Sequence, residues 1–221
     1  EISKGRFSLT TTRNHDLVYI DNKGVEYKQP AGDKTYSHHF LKTSATPTLS
    51  GEIGVRERAE ITYLCALQAD GSYKQIIKSN NQPHNCWRIA FKKEAKINRF
   101  REALFTLEIP YSEYPVDKRG MVGFYVGNPL VKGLLEYKTK TFDSKYILNK
   151  SNEWLQAFVT ESWLWDGSIK GSTPIYCTTN KSNVTLLQTV GHIVGYRCRI
   201  ITSEDSRKDS YKTYYRLTFV N

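Results

Sequence analysis

The sequence predicts an all-β protein, an antiparallel β-sandwich with one short helix near residues 92–102. Three observations lead there. Short segments of alternating polarity, rich in β-branched and aromatic residues, recur from end to end. Gly-containing turn signals separate them. Aromatic residues form 13% of the chain, which suits sheets packed face to face.

Each element follows from its residues. DLVYIDNKGVEYK reads as a hairpin that bends at Asn22 to Gly24. ITYLCALQADGSYKQIIK reads as another, with Asp70-Gly71 supplying the two positive-φ positions of a type I′ turn. In KKEAKINRFREAL, Ile97, Phe100 and Leu104 fall at i, i+3 and i+7, the spacing of an apolar helical stripe. ESWLWDGSIKGSTPIYC returns to the strand pattern, with Asp166-Gly167 as its turn, and YKTYYRLTFV alternates well enough to close a sheet. At 221 residues the chain accommodates one large β domain over 1–221; the alternative is two tandem β domains with a break near 111–120.

The four cysteines are Cys65, Cys86, Cys177 and Cys198, and both sequential intervals are 21 residues. Neither interval has the C-x-x-C spacing of structural zinc sites. Three pairings are possible; the favoured one, 65 with 86 and 177 with 198, closes two loops, each stabilising by roughly 3 kcal/mol through lost chain entropy. Such bonds imply an oxidising compartment. The alternative is four thiols in the interior of a cytosolic protein. The shared offset of 112 invites an internal repeat, yet superposing the halves at that offset matches little beyond the cysteines, Ile89 on Ile201 and Thr106 on Thr218.

Charge indicates the partner. The formal net charge of +10 favours acidic surfaces: nucleic acid, anionic membranes, or sialylated and sulfated glycans. The densest basic group is FKKEAKINRFR, with Lys92, Lys93, Lys96, Arg99 and Arg101, interrupted by Glu94. A solvated helix face explains such a group more often than a binding patch does. No apolar run reaches the eighteen residues of a membrane span. The start EISKG, with neither methionine nor apolar leader, fits a mature secreted protein or a trimmed one.

In LFTLEIPYSEYPVDKRGMVGFYVGNPLV an alternating segment ends in Ile109-Pro110, a loop carries Pro115, and Gly120 precedes a second alternating segment. Over these 28 of 221 residues the chain resembles the receptor-binding domains of chaperone-usher fimbrial tip adhesins. The resemblance implies an immunoglobulin-like sandwich, secreted to the bacterial surface at a fimbrial tip and stabilised by internal disulfides. It implies a host glycan or glycoprotein as partner, with other pilus subunits beside it, and transfers no binding residue by position.

Chemistry is sparse. The chain lacks a G-x-S-x-G elbow, a Walker loop, H-E-x-x-H and a dinucleotide fingerprint. No metal or cofactor is expected. His38 and His39 are adjacent, so on a strand they face opposite ways. The enzymatic competitor is a secreted basic ribonuclease-type toxin using His15, His38 or His39 with the surplus positive charge. A third class is a nucleic-acid-binding or protein-protein interaction module, with aromatics for stacking and lysines for phosphate. Asn149, Asn180 and Asn183 open N-x-S/T sequons, which matter only in a eukaryotic secretory pathway.

On a strand Trp163 and Trp165 share a face with Glu161. A buried glutamate needs a partner, so that face either packs around one or meets water as an indole platform for sugar rings. Asp166 and Lys170 then hydrogen-bond hydroxyls or a carboxylate. Trp87 and Arg88, after Cys86, pose the same choice between core and platform. With Arg99 and Arg101, these are the ligand-binding candidates of an expected non-enzymatic, secreted adhesin or lectin that recognises an acidic glycan.

Overall fold

A computed structural model of the protein describes residues 2–4, 7–9, 14, 16–21, 23–33, 40–41, 51–77, 83–115, 120–127, 134–136, 138–203 and 213–220. It is not an all-β sandwich. The amino-terminal part holds the short strands β1 (Ile2–Lys4) and β2 (Phe7–Leu9), paired antiparallel, then β3 (Asp16–Ile20), β4 (Glu26–Pro30) and β5 (Phe40–Leu41) in the order β4-β3-β5. The β3-β4 hairpin lies where the Asn22-to-Gly24 bend is expected.

From residue 55 onward one pattern occurs twice. Its first occurrence is α1 (Val55–Asp70), β6 (Ser72–Ile77), β7 (Pro83–Phe91), α2 (Glu94–Thr106), β8 (Tyr111–Pro115) and β9 (Val122–Gly127). A connection follows with β10 (Leu135–Glu136), β11 (Thr141–Phe142) and α3 (Ser144–Leu148). The second occurrence is α4 (Asn152–Asp166), β12 (Gly167–Lys170), β13 (Thr173–Thr178), α5 (Lys181–Ile193), β14 (Arg197–Ser203) and β15 (Tyr214–Val220). The two four-stranded antiparallel sheets have equivalent orders, β6-β7-β9-β8 and β12-β13-β15-β14. The repeat therefore superposes helix α1 on α4 and α2 on α5. At that alignment Cys65 meets Glu161, so the equal cysteine spacing is unrelated to it.

The segments read as strands at 61–70 and 161–166 are the last turns of α1 and α4. Both helices pack against each other and against the sheets, so Ile61 to Gln68 are buried without a break. A helix buried all round has no apolar stripe and reads from sequence like a buried strand. Asp-Gly then marks a helix end rather than a hairpin. Local chemistry starts these helices: the Glu57 carboxylate accepts the Gly54 amide at 3.1 Å, and Ser151 Oγ accepts the Trp154 amide at 3.3 Å. A helix does occupy the expected basic segment, as α2, and its Ile97, Phe100 and Leu104 are buried. The run that suggested an adhesin begins in this helix: residues 104–106 are its last turn, and the true strands are β8 and β9.

All four cysteines carry thiols. In the second sheet, Cys198 shares the inward face with its partner Phe219, while Cys177 pairs with Arg216 on the opposite face, two strands away. Two strand spacings of about 4.8 Å exceed the Cα separation a disulfide tolerates. Cys65 lies in the helical core, whereas Cys86 alternates outward from the inward Trp87 and Ile89. The expected bonds, and the oxidising compartment inferred from them, are thereby corrected.

Candidate functional site

The inward faces of both sheets and the helices form one apolar core. Trp163 and Trp165 belong to it. On a helix, positions two apart diverge by about 200°, so the pair splits between the two halves. Trp163 packs on Phe219 and Tyr196, with ring centroids at 5.1 and 5.9 Å, and Trp165 packs on Phe91 at 5.2 Å. Trp87 is equally buried, edge-on to Tyr73. None of the three forms an exposed platform.

Glu161, 5% exposed, has the partners a buried carboxylate requires. Arg99 spans it with Nε to Oε1 at 2.8 Å and Nη2 to Oε2 at 3.0 Å. Thr62 Oγ1 and Trp165 Nε1 donate to the same Oε1 at 3.0 and 2.7 Å. This network joins α1, α2 and α4. Arg101 is likewise committed, bidentate to Glu113 of β8 at 2.7 and 2.6 Å, and it lowers the pKa of that carboxyl through the hydrogen bonds.

The carboxyl ends of α1 and α4 carry the chemistry. Each ends in aspartate followed by glycine, Asp70-Gly71 and Asp166-Gly167, and each glycine opens into the edge strand of its sheet. The glycines are there for space. A Cβ on Gly71 would stand 2.4 Å from Leu67 O, and one on Gly167 would stand 2.1 Å from Ile175 O. The edge strand can leave directly beneath its helix only without that atom. The two aspartates lie close enough for the charge of one to act on the other, and one ammonium, that of Lys96, bridges the two helix ends. Burial, and then the charge of Asp70, raise the Asp166 pKa to about 6, with Lys140 and Lys96 opposing.

Two ammonium groups fill the space at these helix ends. Lys96 Nζ, from α2, lies 2.9 Å from Asp70 Oδ2 and donates to Trp165 O at 2.8 Å. Lys140 Nζ, from the turn after β10, donates to Ala69 O at 2.9 Å. Carbonyls at helix carboxyl ends carry partial negative charge, so four oxygen sources of one sign converge: two carboxylates and the carbonyls preceding them. Among the described residues no three His, Cys, Asp or Glu side chains cluster. Hard oxygen donors of this kind are nonetheless what Mg²⁺, Mn²⁺ or Ca²⁺ takes.

The outward sheet faces are basic. By the strand pairing, Lys170, Thr173, Ile175, Arg197, Arg199, Ile201, Arg216 and Thr218 share one face of the second sheet. On the first sheet, Arg88 pairs with Tyr125 and donates to Tyr114 Oη at 2.5 Å; Tyr114 and Tyr125 stack at 4.6 Å. No aspartate or glutamate occupies an outward strand position among the described residues of either sheet. No ion pair holds Lys170, Arg199 or Arg216 among the described residues, and Arg216 Nε is buried without a hydrogen-bond partner there.

Of the residues singled out from sequence, Asp166 lies at the helix-end site and Lys170 and Arg88 on the outward faces. Trp87, Trp163 and Trp165 are core, and Arg99 and Arg101 are in ion pairs. The grouping of Asp70, Lys96 and Lys140 is not legible in the sequence; the recurrence of Asp-Gly after an apolar run, at 70 and 166, is a signal for the aspartates, and no motif marks the lysines. His15, His38 and His39, proposed for RNA cleavage, lie outside the described residues. His192 Nε2 accepts the Cys198 amide at 3.2 Å, and burial lowers its pKa. Asn183, one sequon residue, is fully buried.

No protein-family model and no curated protein matches the chain. Solved structures do. A set of mesophilic variants of the homing endonuclease I-DmoI aligns with a TM-score of 0.55 and 14% identity, over 74% of this chain and 89% of that one. I-DmoI in complex with DNA and Ca aligns with a TM-score of 0.56 and 13% identity, over 75% and 84%. Full-length DUF199/WhiA from Thermatoga maritima gives 0.52 and 14%, over 78% of this chain and 54% of that one. At these identities the likeness shows the fold, an α/β LAGLIDADG fold. It replaces the immunoglobulin-like sandwich and removes the basis for a fimbrial lectin, a glycan partner, a non-enzymatic assignment and a secreted address.

Proposed function

We propose that the protein binds double-stranded DNA across the outward faces of its two sheets and hydrolyses phosphodiester bonds, with a divalent cation, at the Asp70 and Asp166 carboxylates. The observation that carries this is the carboxylate pair at the ends of α1 and α4, where edge strands β6 and β12 begin, beside two sheets whose outward strand positions hold basic residues and, among the described residues, no aspartate or glutamate. Lys170, Arg199 and Arg216, which have no ion pair among the described residues, neutralise backbone phosphates, and side chains between them reach base edges in the major groove, which admits a two-stranded ribbon. The two repeats work as one domain, since each contributes one sheet and one carboxylate.

Asp70, Asp166 and the Ala69 and Trp165 carbonyl oxygens would hold the cation. Bound there, a divalent cation supplies Lewis acidity toward the phosphoryl oxygen and a water of lowered pKa. The neighbouring solved structures include a homing endonuclease with DNA and Mn, which supports the reading. The test is duplex cleavage by the wild type in Mg²⁺ or Mn²⁺ and its loss in Asp70→Asn and Asp166→Asn, with DNA binding retained in both.

A further inference from the structure

The lysines at the helix ends need their own account. α2 and α5 are both 13 residues long. The third position is Lys96 in α2 and Asn183 in α5. A lysine at 183 would complete the symmetry, yet the second ammonium comes from Lys140, in the connection between the repeats. Asn183 is instead spent on that connection: its Nδ2 donates to Lys140 O at 2.8 Å and its Oδ1 accepts the Phe142 amide at 2.9 Å. Asn180 Nδ2 donates to Thr139 O and Thr141 Oγ1 at 3.1 and 2.8 Å. Glu136 accepts the Lys138 amide at 3.1 Å and the Thr139 amide at 2.5 Å. Within this clamp Lys140 has φ 54, the left-handed region that side chains other than glycine enter only when their surroundings force them. The turn is built to deliver one ammonium to Ala69 O.

We infer that Lys96 and Lys140 are place-holding cations: in the DNA-free protein their ammonium groups occupy the oxygen cage of Asp70, Asp166, Ala69 and Trp165 that a divalent cation would otherwise enter. This rests on the cleavage reading above. An ammonium within 3 Å of a carboxylate or carbonyl oxygen both neutralises it and fills its lone-pair direction. DNA phosphates offer the ammonium groups another partner, so duplex binding frees the cage and metal binding becomes coupled to DNA binding. By reciprocity the metal then favours the DNA-bound state by the same factor. A nuclease so arranged is not armed in metal alone.

The experiment titrates Tb³⁺ and Mn²⁺ into the DNA-free full chain. Tb³⁺ luminescence is sensitised by Trp165, whose carbonyl is in the cage, and Mn²⁺ is read by loss of its free-ion electron paramagnetic resonance signal. Wild type binds weakly. Lys96→Met and Lys140→Met each bind about tenfold or more tightly, because a unit positive charge has left the cage. Lys96→Gln and Lys140→Gln provide a second substitution if a methionine variant melts early. Ion affinity equal to or weaker than wild type in folded variants overturns the inference. Asp70→Asn in the Lys96→Met background separates the two levels. If it abolishes ion binding while the lysine variants are no tighter than wild type, only the place-holding role fails. If it leaves ion binding intact, the cage is not the metal site and the cleavage reading fails as well.

Discussion

Arg99 grips Glu161 through two parallel N–H donors, and the carboxylate that receives them is buried while the guanidinium is half-exposed. The pair ties α2 to α4 at the turn above the Asp166 end. Removing Arg99 strands a buried charge, a change that costs about 3–5 kcal/mol when both partners are buried. Solvent screening at the arginine reduces this to about 1–3 kcal/mol for Arg99→Ala. Urea unfolding measures it, and Glu161→Gln in the same background recovers part of the loss.

Trp163→Ala distinguishes core from platform. Its ring lies between Phe219 and Tyr196, so truncation opens a cavity and destabilises by about 3–5 kcal/mol. A ligand platform would show the opposite: an unchanged melting temperature and a lost partner.

Raising the Asp166 pKa from 3.8 to about 6 makes a statement about stability. Between those values the folded state binds the proton that the unfolded chain has released. Stability from this group is therefore complete below about pH 3.8 and lost as pH rises through about 6. At pH 8 the cost is at most about 3 kcal/mol. Asp166→Asn accordingly raises the melting temperature of the DNA-free protein at pH 8 and changes it little near pH 4. Cleavage follows the other direction, falling below about pH 6 as the carboxyl takes up its proton and ceases to bind a cation. Thermal melts and a pH-rate profile measure the two effects, and the same substitution that stabilises abolishes activity.

Arg199→Ala and Arg216→Ala remove outward charges that no ion pair holds among the described residues. If each contacts one phosphate, duplex affinity falls at low salt and the slope of log K against log salt decreases by roughly 1 per arginine. Fluorescence anisotropy at four salt concentrations gives the slope. A slope unchanged in both variants places the duplex elsewhere.

Some of this was legible in the chain. The α2 stripe of Ile97, Phe100 and Leu104 is amphipathic because only one side of that helix is buried, and the β3-β4 hairpin announces itself through Gly24, at φ 82. The central helices were not legible for the opposite reason: Ile61 to Gln68 are buried consecutively, which erases the period that identifies a helix. Asp70-Gly71 and Asp166-Gly167 carry the same letters as a hairpin turn, and only the elements on either side decide which they are. The net charge of +10, part of which resides on the outward sheet faces, indicates a preference for acidic surfaces but no class of partner. The cysteine spacing misled because strand order, rather than separation along the chain, determines which sulfurs meet: β15 stands between Cys177 and Cys198.

We propose that Asp70 and Asp166 form one cation-dependent centre acting on duplex DNA. The direct measurement enriches duplexes from a randomised pool by binding in Ca²⁺, then exposes them to Mg²⁺ or Mn²⁺ with wild type, Asp70→Asn and Asp166→Asn. All three proteins are expected to retain the enriched duplexes, and only wild type to cut both strands. Cleavage surviving in both aspartate variants, or retained duplexes that wild type leaves intact in either metal, would contradict it.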